Sequence, residues 1–326
     1  MTTATRGIEE GNPRSSPTPA AKPTPPSRAL VVTAFATVYV VWGSTYLAIR
    51  YAVETIPPFV MAGTRFLLAG AMMIAWAKWK DGARATGSNW RAAAVAGALL
   101  LAFGNGAVVW AEQRVPSGLT ALLVAAVPLW MVLADWVRPG GARPTAGVAV
   151  GVAVGIAGIA LLVGTGSLGG QRVDPAGAAA LVFGSLSWAI GSLYSRTADL
   201  PSNPIFATGM EMFAGGAVLW IGALATGELA HLDLSHASAA SITGFVYLVI
   251  FGSLIGFTAY AWLLRVSTPA KVSTYAFVNP VIAVLLGWAI AHEPVGARTI
   301  AAAAVIVGAV ALITMTRGRR AGDKHR

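Results

Sequence analysis

The chain has 326 residues, of which 56% are hydrophobic and only 11% are charged. Because a soluble domain carries about 25% charged residues, these proportions predict an integral membrane protein. Cysteine is absent, which excludes disulfides, thiolate catalysis and cysteine-based metal sites. The four histidines fall in predicted loops or in the carboxyl-terminal tail, so we expect no metal and no cofactor. The net charge of +10 comes from Lys and Arg beside apolar segments, which is typical of membrane topology rather than of nucleic-acid binding.

The two ends of the chain differ in composition from the rest. Residues 1–29 contain six prolines among Ser, Thr and Ala, which predicts a disordered amino-terminal tail. This segment has no apolar core followed by a cleavage site, so we expect no removable signal peptide and assign membrane insertion to the first span. Residues 317–326 form a basic carboxyl-terminal tail.

Between the tails, ten apolar segments are long enough to cross a bilayer, because about 20 residues of helix span a hydrocarbon core of about 30 Å. They lie at about 30–50, 58–77, 91–111, 117–137, 144–164, 175–195, 204–226, 240–263, 269–291 and 296–315. The predicted fold class is all-α: an integral membrane protein with ten transmembrane helices. Residues 30–164 then form a first repeat with spans one to five, and residues 165–316 a second with spans six to ten.

A pattern of five residues occurs twice in these segments. The first copy is Trp42, Arg50, Pro58, Gly63 and Gly70, and each is followed 146 positions later by the same residue type. The second copy is Trp188, Arg196, Pro204, Gly209 and Gly216. Since each repeat has five spans, an odd number, the second repeat must be inverted in the membrane. Inverted repeats are common in secondary transporters, whose ligand site lies near the midplane between the repeats.

The distribution of cations predicts which way the helices face. With both termini in the cytoplasm, 18 of the 23 Lys and Arg residues lie on the inner side and 4 on the outer side, while Arg65 lies within a span. Positive charge concentrates on the cytoplasmic side of membrane proteins. We therefore expect a multi-pass protein of the inner (plasma) membrane with both termini cytoplasmic.

Two charged residues stand out inside the predicted spans. Arg65 in the second span and Glu211 in the seventh are 146 positions apart, so they are equivalent in the two repeats. A charge at the bilayer centre costs about 2.5–3.5 kcal/mol on insertion scales, which makes such residues candidates for function. We expect Glu211 to bind a proton or a cation and Arg65 to bind an anionic group of the substrate. The alternative is a structural role, as a buried pair or through contacts with backbone carbonyls.

Further candidates come from prolines, buried amides and aromatic rings. Pro128 and Pro280 lie mid-span and should kink the fourth and ninth helices, which frees a backbone carbonyl toward a cavity. Asn105 and Asn279 carry amides that should not face lipid, so they either line the cavity or bond between helices. Six aromatic residues are expected to form an apolar cavity wall with polar tips, with tight packing or an interfacial position as the alternative. They are Trp42, Tyr46, Trp110, Trp188, Tyr260 and Tyr275.

Several other residues have expected structural roles. Gly147, Gly151 and Gly155 recur every four residues in the fifth span, which predicts close packing against the tenth span or against a second protomer. A homodimer is therefore one of the two predicted partners of this seam.

Four polar residues near span ends are also assigned to structure. Arg50 and Arg196 end the first helix of each repeat and are expected to reach the lipid headgroups. Ser117 is a candidate helix N-cap, and Glu293 is expected to act as a cap or loop anchor.

These residues resemble a known family. Trp42-Gly43-Ser44-Thr45-Tyr46, Pro57-Pro58 and Arg65-Phe66 resemble the opening of an EamA-type repeat of the drug/metabolite transporter superfamily. Asn279-Pro280-Val281, Gly287 and Glu293 resemble the end of its second copy. A narrower resemblance, to the YedA-type exporters, rests on Gly104-Asn105-Gly106, Ala111-Glu112, Val115-Pro116-Ser117-Gly118 and residues 275–280. The resemblance covers about residues 35–315 and implies two inverted five-helix repeats that export or exchange small metabolites.

The leading interpretation is a secondary active transporter that exports or exchanges a small amino acid-like or amphipathic metabolite by alternating access. Its cavity is expected to be lined by helices one to four and six to nine. Proton coupling and simple exchange both stay open. A passive channel or facilitator is the first alternative, although the spans are too apolar for a wide aqueous pore. A membrane enzyme is the second, but the spans carry no nucleophile–base pair and no metal ligands.

Overall fold

A computed structural model describes residues 27–141, 143–164 and 173–323, and these residues form helices and loops without a strand. We number the ten principal helices α1 to α10. They are α1 (Arg28–Ala52), α2 (Pro58–Asp81), α3 (Gly87–Ala111), α4 (Ser117–Val137), α5 (Ala146–Val163), α6 (Pro175–Ser195), α7 (Pro204–Ala225), α8 (Ala239–Val266), α9 (Tyr275–Ala289) and α10 (Ala297–Asp323). The all-α membrane fold is thereby confirmed. Residues 1–26 of the predicted disordered tail lie outside the described residues, whereas Arg28 and Ala29, the last two residues of that prediction, belong to α1.

The helices begin where the local sequence satisfies free backbone N–H groups. Pro58, Pro175 and Pro204 open α2, α6 and α7, where proline fits because its missing N–H has no helical partner. Asp174 and Asn203 precede two of these prolines and accept hydrogen bonds from the first-turn N–H groups. The repeated prolines of the sequence pattern therefore mark the same helix start in both repeats.

Within the described ranges, nine helices are long and apolar enough to cross a membrane, and α9 is shorter at 15 residues. The sequence predicted one continuous helix at 269–291, which is wrong in detail. A separate turn of helix, Pro269–Val272, precedes α9. The hydroxyl of Thr274 donates to the carbonyl of Lys271 at 2.6 Å and thereby competes with continuous helix formation.

Helix α4 is also interrupted, as the predicted kink at Pro128 implies. It consists of Ser117–Val124 and Val127–Val137, joined by a turn at Ala125 and Ala126. Pro128 lies in the first turn of the second part, so the break precedes the proline instead of centring on it. Pro280, in contrast, lies inside α9. One broken helix in each repeat thus borders the centre of the protein.

Two further irregular segments occupy equivalent positions. Residues Ala98–Asn105 of α3 and Leu248–Ile255 of α8 are π-helical, and their starts are 150 positions apart. Such wide turns are uncommon and frequently occur at functional sites. They shift the faces that α3 and α8 present to the interior.

The repeats meet at a close contact between α2 and α7. A methyl group on Gly63 would lie 3.2 Å from the carbonyl oxygen of Gly216, and one on Gly70 would lie 2.7 Å from that of Gly209. A real Cβ atom essentially never lies as close as 2.7 Å to another heavy atom. The four glycines of the repeated pattern therefore allow the two helices to pack backbone to backbone.

A second glycine seam joins α5 to α10 and α4. A methyl group on Gly151 would meet Ile313 of α10 at 2.7 Å, and one on Gly155 would overlap Leu129 of α4. Of the two predicted partners, the tenth span in the same chain occupies this seam. The homodimer stays a prediction.

Because short connections join successive helices, neighbouring helices in the chain run in opposite directions and the bundle has two ends. The terminal end carries the start of α1 and the end of α10. The far end carries the ends of α1, α3 and α9 and the start of α4.

Candidate functional site

A cavity of about 920 Å³ lies between the two repeats. Residues from α1 to α4, α6 and α8 to α10 line it. The expectation of helices one to four and six to nine is therefore wrong in one respect, because α10 contributes Ile313 and Thr314 while α7 contributes no lining residue. Helix α7 is instead packed against α2 through the glycine contacts. Nine of the predicted site residues line the cavity: Trp42, Tyr46, Arg65, Asn105, Pro128, Trp188, Tyr275, Asn279 and Pro280.

Arg65 places a buried cation in the cavity wall. Its side chain is only 3% exposed, and its guanidinium lies 4.7 Å from the centre of the Phe66 ring. Its Nε donates to the hydroxyl of Ser253, in the π-helical segment of α8, at 2.9 Å. Its Nη1 has no hydrogen-bond partner in the described part of the chain. This arrangement fixes the guanidinium plane and leaves terminal N–H groups of the guanidinium for a ligand.

Two neutral polar groups in the same wall are also unsatisfied. The Oδ1 atom of Asn105 and the hydroxyl of Ser185 are buried and have no hydrogen-bond partner among the described residues. Leaving a polar group buried and unpaired costs about 1–3 kcal/mol, so native proteins usually pair such groups or present them to a ligand or water. Asn105, Ser185 and Arg65 therefore offer an acceptor, a hydroxyl and a cationic donor to one occupant.

Aromatic rings form one wall of the cavity. The ring centre of Trp42 lies 5.1 Å from each of the ring centres of Phe257, Tyr260 and Tyr275. The Nε1 of Trp42 donates to the carbonyl of Gly252 at 3.2 Å, which fixes the indole against α8. Because these residues come from α1, α8 and α9, the wall spans both repeats.

Asn279 joins the same two repeats. With its amide nitrogen toward the backbone, it donates to the carbonyls of Tyr39 and Tyr275 at 3.3 Å each. Asn279 thus lines the cavity and bonds between helices, which were the two alternatives for this residue.

The cavity reaches the terminal end of the bundle. Arg196, which follows the last residue of α6, and Thr268, which follows α8, both line it and are exposed. Thr314, in the second half of α10, lines it as well. Arg196 therefore borders the cavity entrance, whereas the sequence suggested a contact with lipid headgroups.

At the far end, Glu293 closes the bundle above the cavity. Its Oε1 accepts from the backbone N–H of Ser117 at 2.8 Å and from the Ser117 hydroxyl at 2.9 Å, and its Oε2 accepts from the N–H of Gly118 at 3.0 Å. Nη1 of Arg50 lies 3.4 Å from the same carboxylate. One acidic side chain therefore holds together the end of α1, the start of α4 and the α9–α10 loop.

Glycine permits this closure. A methyl group on Gly287 of α9 would overlap the carboxylate of Glu293, and one on Gly118 would lie 3.1 Å from the backbone of Val284. We call the group Arg50, Ser117, Gly118, Gly287 and Glu293 the far-end closure.

Comparison with known proteins places this chain in a transporter family. The model of the EamA-like transporter family matches residues 29–164 and again residues 175–315, one match for each repeat. The chain belongs to this family. It is 41% identical to the inner membrane transporter YedA of Escherichia coli (strain K12) over 281 residues, which cover 85% of this chain and 88% of that protein.

More distant relatives extend over similar lengths. Protein PecM of Dickeya dadantii (strain 3937) is 26% identical over 84% of this chain and 88% of its own length. A solved crystal structure aligns with a TM-score of 0.60 at 21% identity and covers 89% of this chain and 99% of its own. At that identity the structural match supports the fold alone. As a member of the EamA-like family, the protein is a membrane transporter and not an enzyme.

Three predicted site residues of this EamA-like transporter lie away from the cavity surface. Glu211 of α7 accepts a hydrogen bond from the Ser195 hydroxyl at 3.3 Å, and no ion pair joins it to Arg65 in the described ranges. Tyr260 packs behind Trp42 and Tyr275. Trp110 is covered by the guanidinium of Arg114, 4.2 Å from the ring centre.

Several residues of the site escaped sequence reasoning. Ser185 and Ser253 are small hydroxyl residues in apolar spans and carry no distinguishing local signal. Arg50 was expected to reach headgroups, and the structure places it against Glu293 instead. Ser117 was a candidate N-cap, but the cap position is Pro116 and the hydroxyl of Ser117 donates to Glu293. The role of Glu293 as a helix cap is confirmed.

Proposed function

We propose that this protein is a secondary active transporter that exports or exchanges a small amphipathic, amino acid-like metabolite across the inner membrane by alternating access. The observation that carries the proposal is the set of unpaired polar groups in an aromatic cavity. Arg65, Asn105 and Ser185 line it, and each holds a buried polar atom that has no hydrogen-bond partner in the described part of the chain. A solute with a carboxylate, a donor group and an apolar body satisfies all three.

The size of the cavity agrees with such a solute. Small-molecule sites commonly have volumes of about 300–1,000 Å³ and combine apolar walls with a few polar groups. A fully ionised sugar phosphate fits poorly, because Arg65 is the single buried cation among the described lining residues and Arg196 lies at the entrance. Carboxylate recognition by Arg is strong because charged hydrogen bonds form in two parallel contacts.

The two ends of the cavity differ, and this difference favours an alternating-access mechanism rather than a channel. The terminal end, which the cation distribution assigns to the cytoplasm, reaches exposed residues, whereas the far-end closure separates the cavity from the other side. We assign this conformation as inward-facing. Broken helices in α4 and α9 and the π-helical segments of α3 and α8 border the cavity and provide positions where one repeat can move against the other.

Counterflow in proteoliposomes tests the proposal. Vesicles containing the purified protein are loaded with each of a panel of unlabelled amino acids and related carboxylates, and the labelled compound is added outside at trace concentration. We expect transient accumulation for at least one aromatic or aliphatic member, and accumulation reduced by about 10- to 100-fold in vesicles made with Arg65→Gln protein. Equal, unstimulated flux of many solutes would favour the channel, and chemical conversion of the solute would favour an enzyme.

A further inference from the structure

A second acidic side chain lies next to the far-end closure. Glu112 follows the last residue of α3, is 3% exposed, and neither of its carboxylate oxygens has a hydrogen-bond partner in the described part of the chain. Burying an ionised carboxylate without a partner is very costly, and such groups take up a proton instead. Glu112 is therefore a buried titratable group to which the proposed function assigns no role.

The groups that face Glu112 explain why its charge matters. Arg50 and Tyr46 of α1 and Glu293 of the α9–α10 loop lie within electrostatic range of it. On the neighbouring elements, Asp174 at the start of α6 is engaged by the N–H of Gly177 at 2.7 Å, and Arg114 lies over Trp110.

The ionised form of Glu112 opposes closure for two reasons. Burial raises the pKa of the Glu112 carboxyl well above its ordinary value, the negative charge of Glu293 raises the pKa further, and Arg50 lowers it. In the closed arrangement Arg50 is already 3.4 Å from Glu293, so one cation serves two carboxyl groups. Neutral Glu112 leaves Arg50 and Glu293 balanced, whereas ionised Glu112 adds an uncompensated negative charge beside them.

We propose that Glu112 is a proton-binding site whose occupancy holds the far end of the cavity closed. The proton comes from water on the far side and occupies a carboxylate oxygen of Glu112. Loss of the proton leaves a buried charge that is relieved when α3 separates from the α9–α10 loop and water enters. Tyr46, which faces both Glu112 and the cavity, places the site next to the solute.

The proposal rests on the proposed transport function and assigns the coupling ion to Glu112. The sequence pointed to Glu211 for this role, but Glu211 lies on α7, away from the cavity surface and from the closure. The two acids therefore make a matched pair of variants, Glu112→Gln and Glu211→Gln.

Because the chain has no native cysteine, a single cysteine can report closure without any knowledge of the substrate. Ala121→Cys places a thiol in α4 at the far end of the cavity, at a buried lining position. Ala230→Cys places one in the exposed far-end loop and corrects for the pH dependence of thiol reactivity. A membrane-impermeant maleimide is added on the far side of oriented vesicles between about pH 5.5 and pH 8.5.

We expect the labelling rate at position 121, divided by that at position 230, to rise about tenfold with pH, since one unit of pKa difference between two states changes their equilibrium tenfold. The Glu112→Gln variant should keep the low ratio at every pH, because a neutral amide imitates the protonated acid. The Glu211→Gln variant should behave as the parent.

A ratio independent of pH in the parent would overturn the proposal, and so would a pH-dependent ratio that persists in Glu112→Gln. Loss of the pH dependence in Glu211→Gln alone would move the proton site to Glu211. The labelling needs no solute, so its failure is distinct from a failure of counterflow. If counterflow occurs but labelling does not depend on pH, only the role of Glu112 is refuted. If labelling depends on pH but no solute shows counterflow, the transport function is refuted.

Discussion

Gly70 of the first repeat and Gly209 of the second lie against each other across the α2–α7 contact. A methyl group on Gly70 would lie 2.7 Å from the carbonyl oxygen of Gly209, and one on Gly209 would lie 3.1 Å from that of Gly70. Gly63 and Gly216 make the same contact, as a local two-fold axis requires, because the 146-residue offset relates Gly63 to Gly209 and Gly70 to Gly216. The glycines of the repeated sequence pattern therefore also form the central packing contact of the fold.

Gly70→Ala should destabilise the protein by about 1–3 kcal/mol, the usual cost of inserting atoms into a packed contact. Gly222→Ala is the matched control, because it lies on α7 and an added methyl group would meet only Phe59 at 3.8 Å. Thermal unfolding in detergent, followed by intrinsic fluorescence, measures both variants. A Gly70→Ala midpoint equal to that of Gly222→Ala would contradict the packing assignment.

Arg65→Gln should reduce counterflow of a carboxylate solute by about 10- to 100-fold, since hydrogen bonds to charged groups contribute about 1.5–3 kcal/mol. Arg65→Lys should fall between parent and Arg65→Gln, because lysine keeps the charge but loses the fork geometry. Ser253→Ala removes the hydroxyl that fixes the guanidinium at 2.9 Å and should raise the KM more than it lowers the maximal rate. Full activity of Arg65→Gln would exclude Arg65 from solute binding.

Gly287→Ala should weaken the far-end closure, because its methyl group would overlap Glu293 and displace that carboxylate from Ser117 and Gly118. Gly308→Ala in α10, where an added methyl group meets nothing within 4 Å, is the control. A cysteine at position 121 reports the result as faster labelling from the far side. Unchanged protection in Gly287→Ala would show that Glu293 does not hold the closure.

Titration of Glu228 should make the stability of the folded protein depend on pH. Its Oε2 accepts from the N–H groups of Phe59 and Val60 at 2.9 and 3.0 Å at the start of α2. Burial nevertheless raises the pKa of Glu228 above its ordinary value, and the two hydrogen bonds oppose that shift. A raised pKa in the folded state means that protonation favours folding, so this contribution is present below the ordinary pKa and is lost as pH rises through the raised value.

The unfolding midpoint of the parent, relative to Glu228→Gln, should therefore fall as pH increases from about 4 toward neutrality. Asp233→Asn in the same far-end loop is a control of opposite sign, because hydrogen bonds from Ser235 and His236 lower the pKa of the Asp233 carboxyl below its ordinary value. A parent midpoint that rises relative to that of Glu228→Gln as pH increases would reverse the assigned direction of the pKa shift.

Much of the fold could be predicted from the sequence because its signals are local or repeated. Apolar length defines the spans, proline and glycine mark their ends, and the 146-residue offset reveals the inverted copy. The break before α9 was missed because it depends on the hydroxyl of Thr274, a common residue with no hydropathy signal.

The site was predicted in part, and the difference has a physical cause. Large or charged residues in apolar spans, such as Trp42, Arg65 and Asn105, are conspicuous, and the structure brings them to one cavity. Glu112 and Arg50 lie at span ends, where charge is ordinary, and only the folded chain shows that Glu293 lies beside them.

The accessibility of a single cysteine in the cavity from each side of the membrane tests alternating access most directly. Ala125→Cys places it at the break of α4, on the cavity surface. In right-side-out and inverted membrane vesicles without solute, an impermeant maleimide should react from the cytoplasmic side and not from the other. Addition of a solute that passes the counterflow test should then expose the thiol to the outer side. Labelling from both sides at once without solute would contradict alternating access and indicate an open pore.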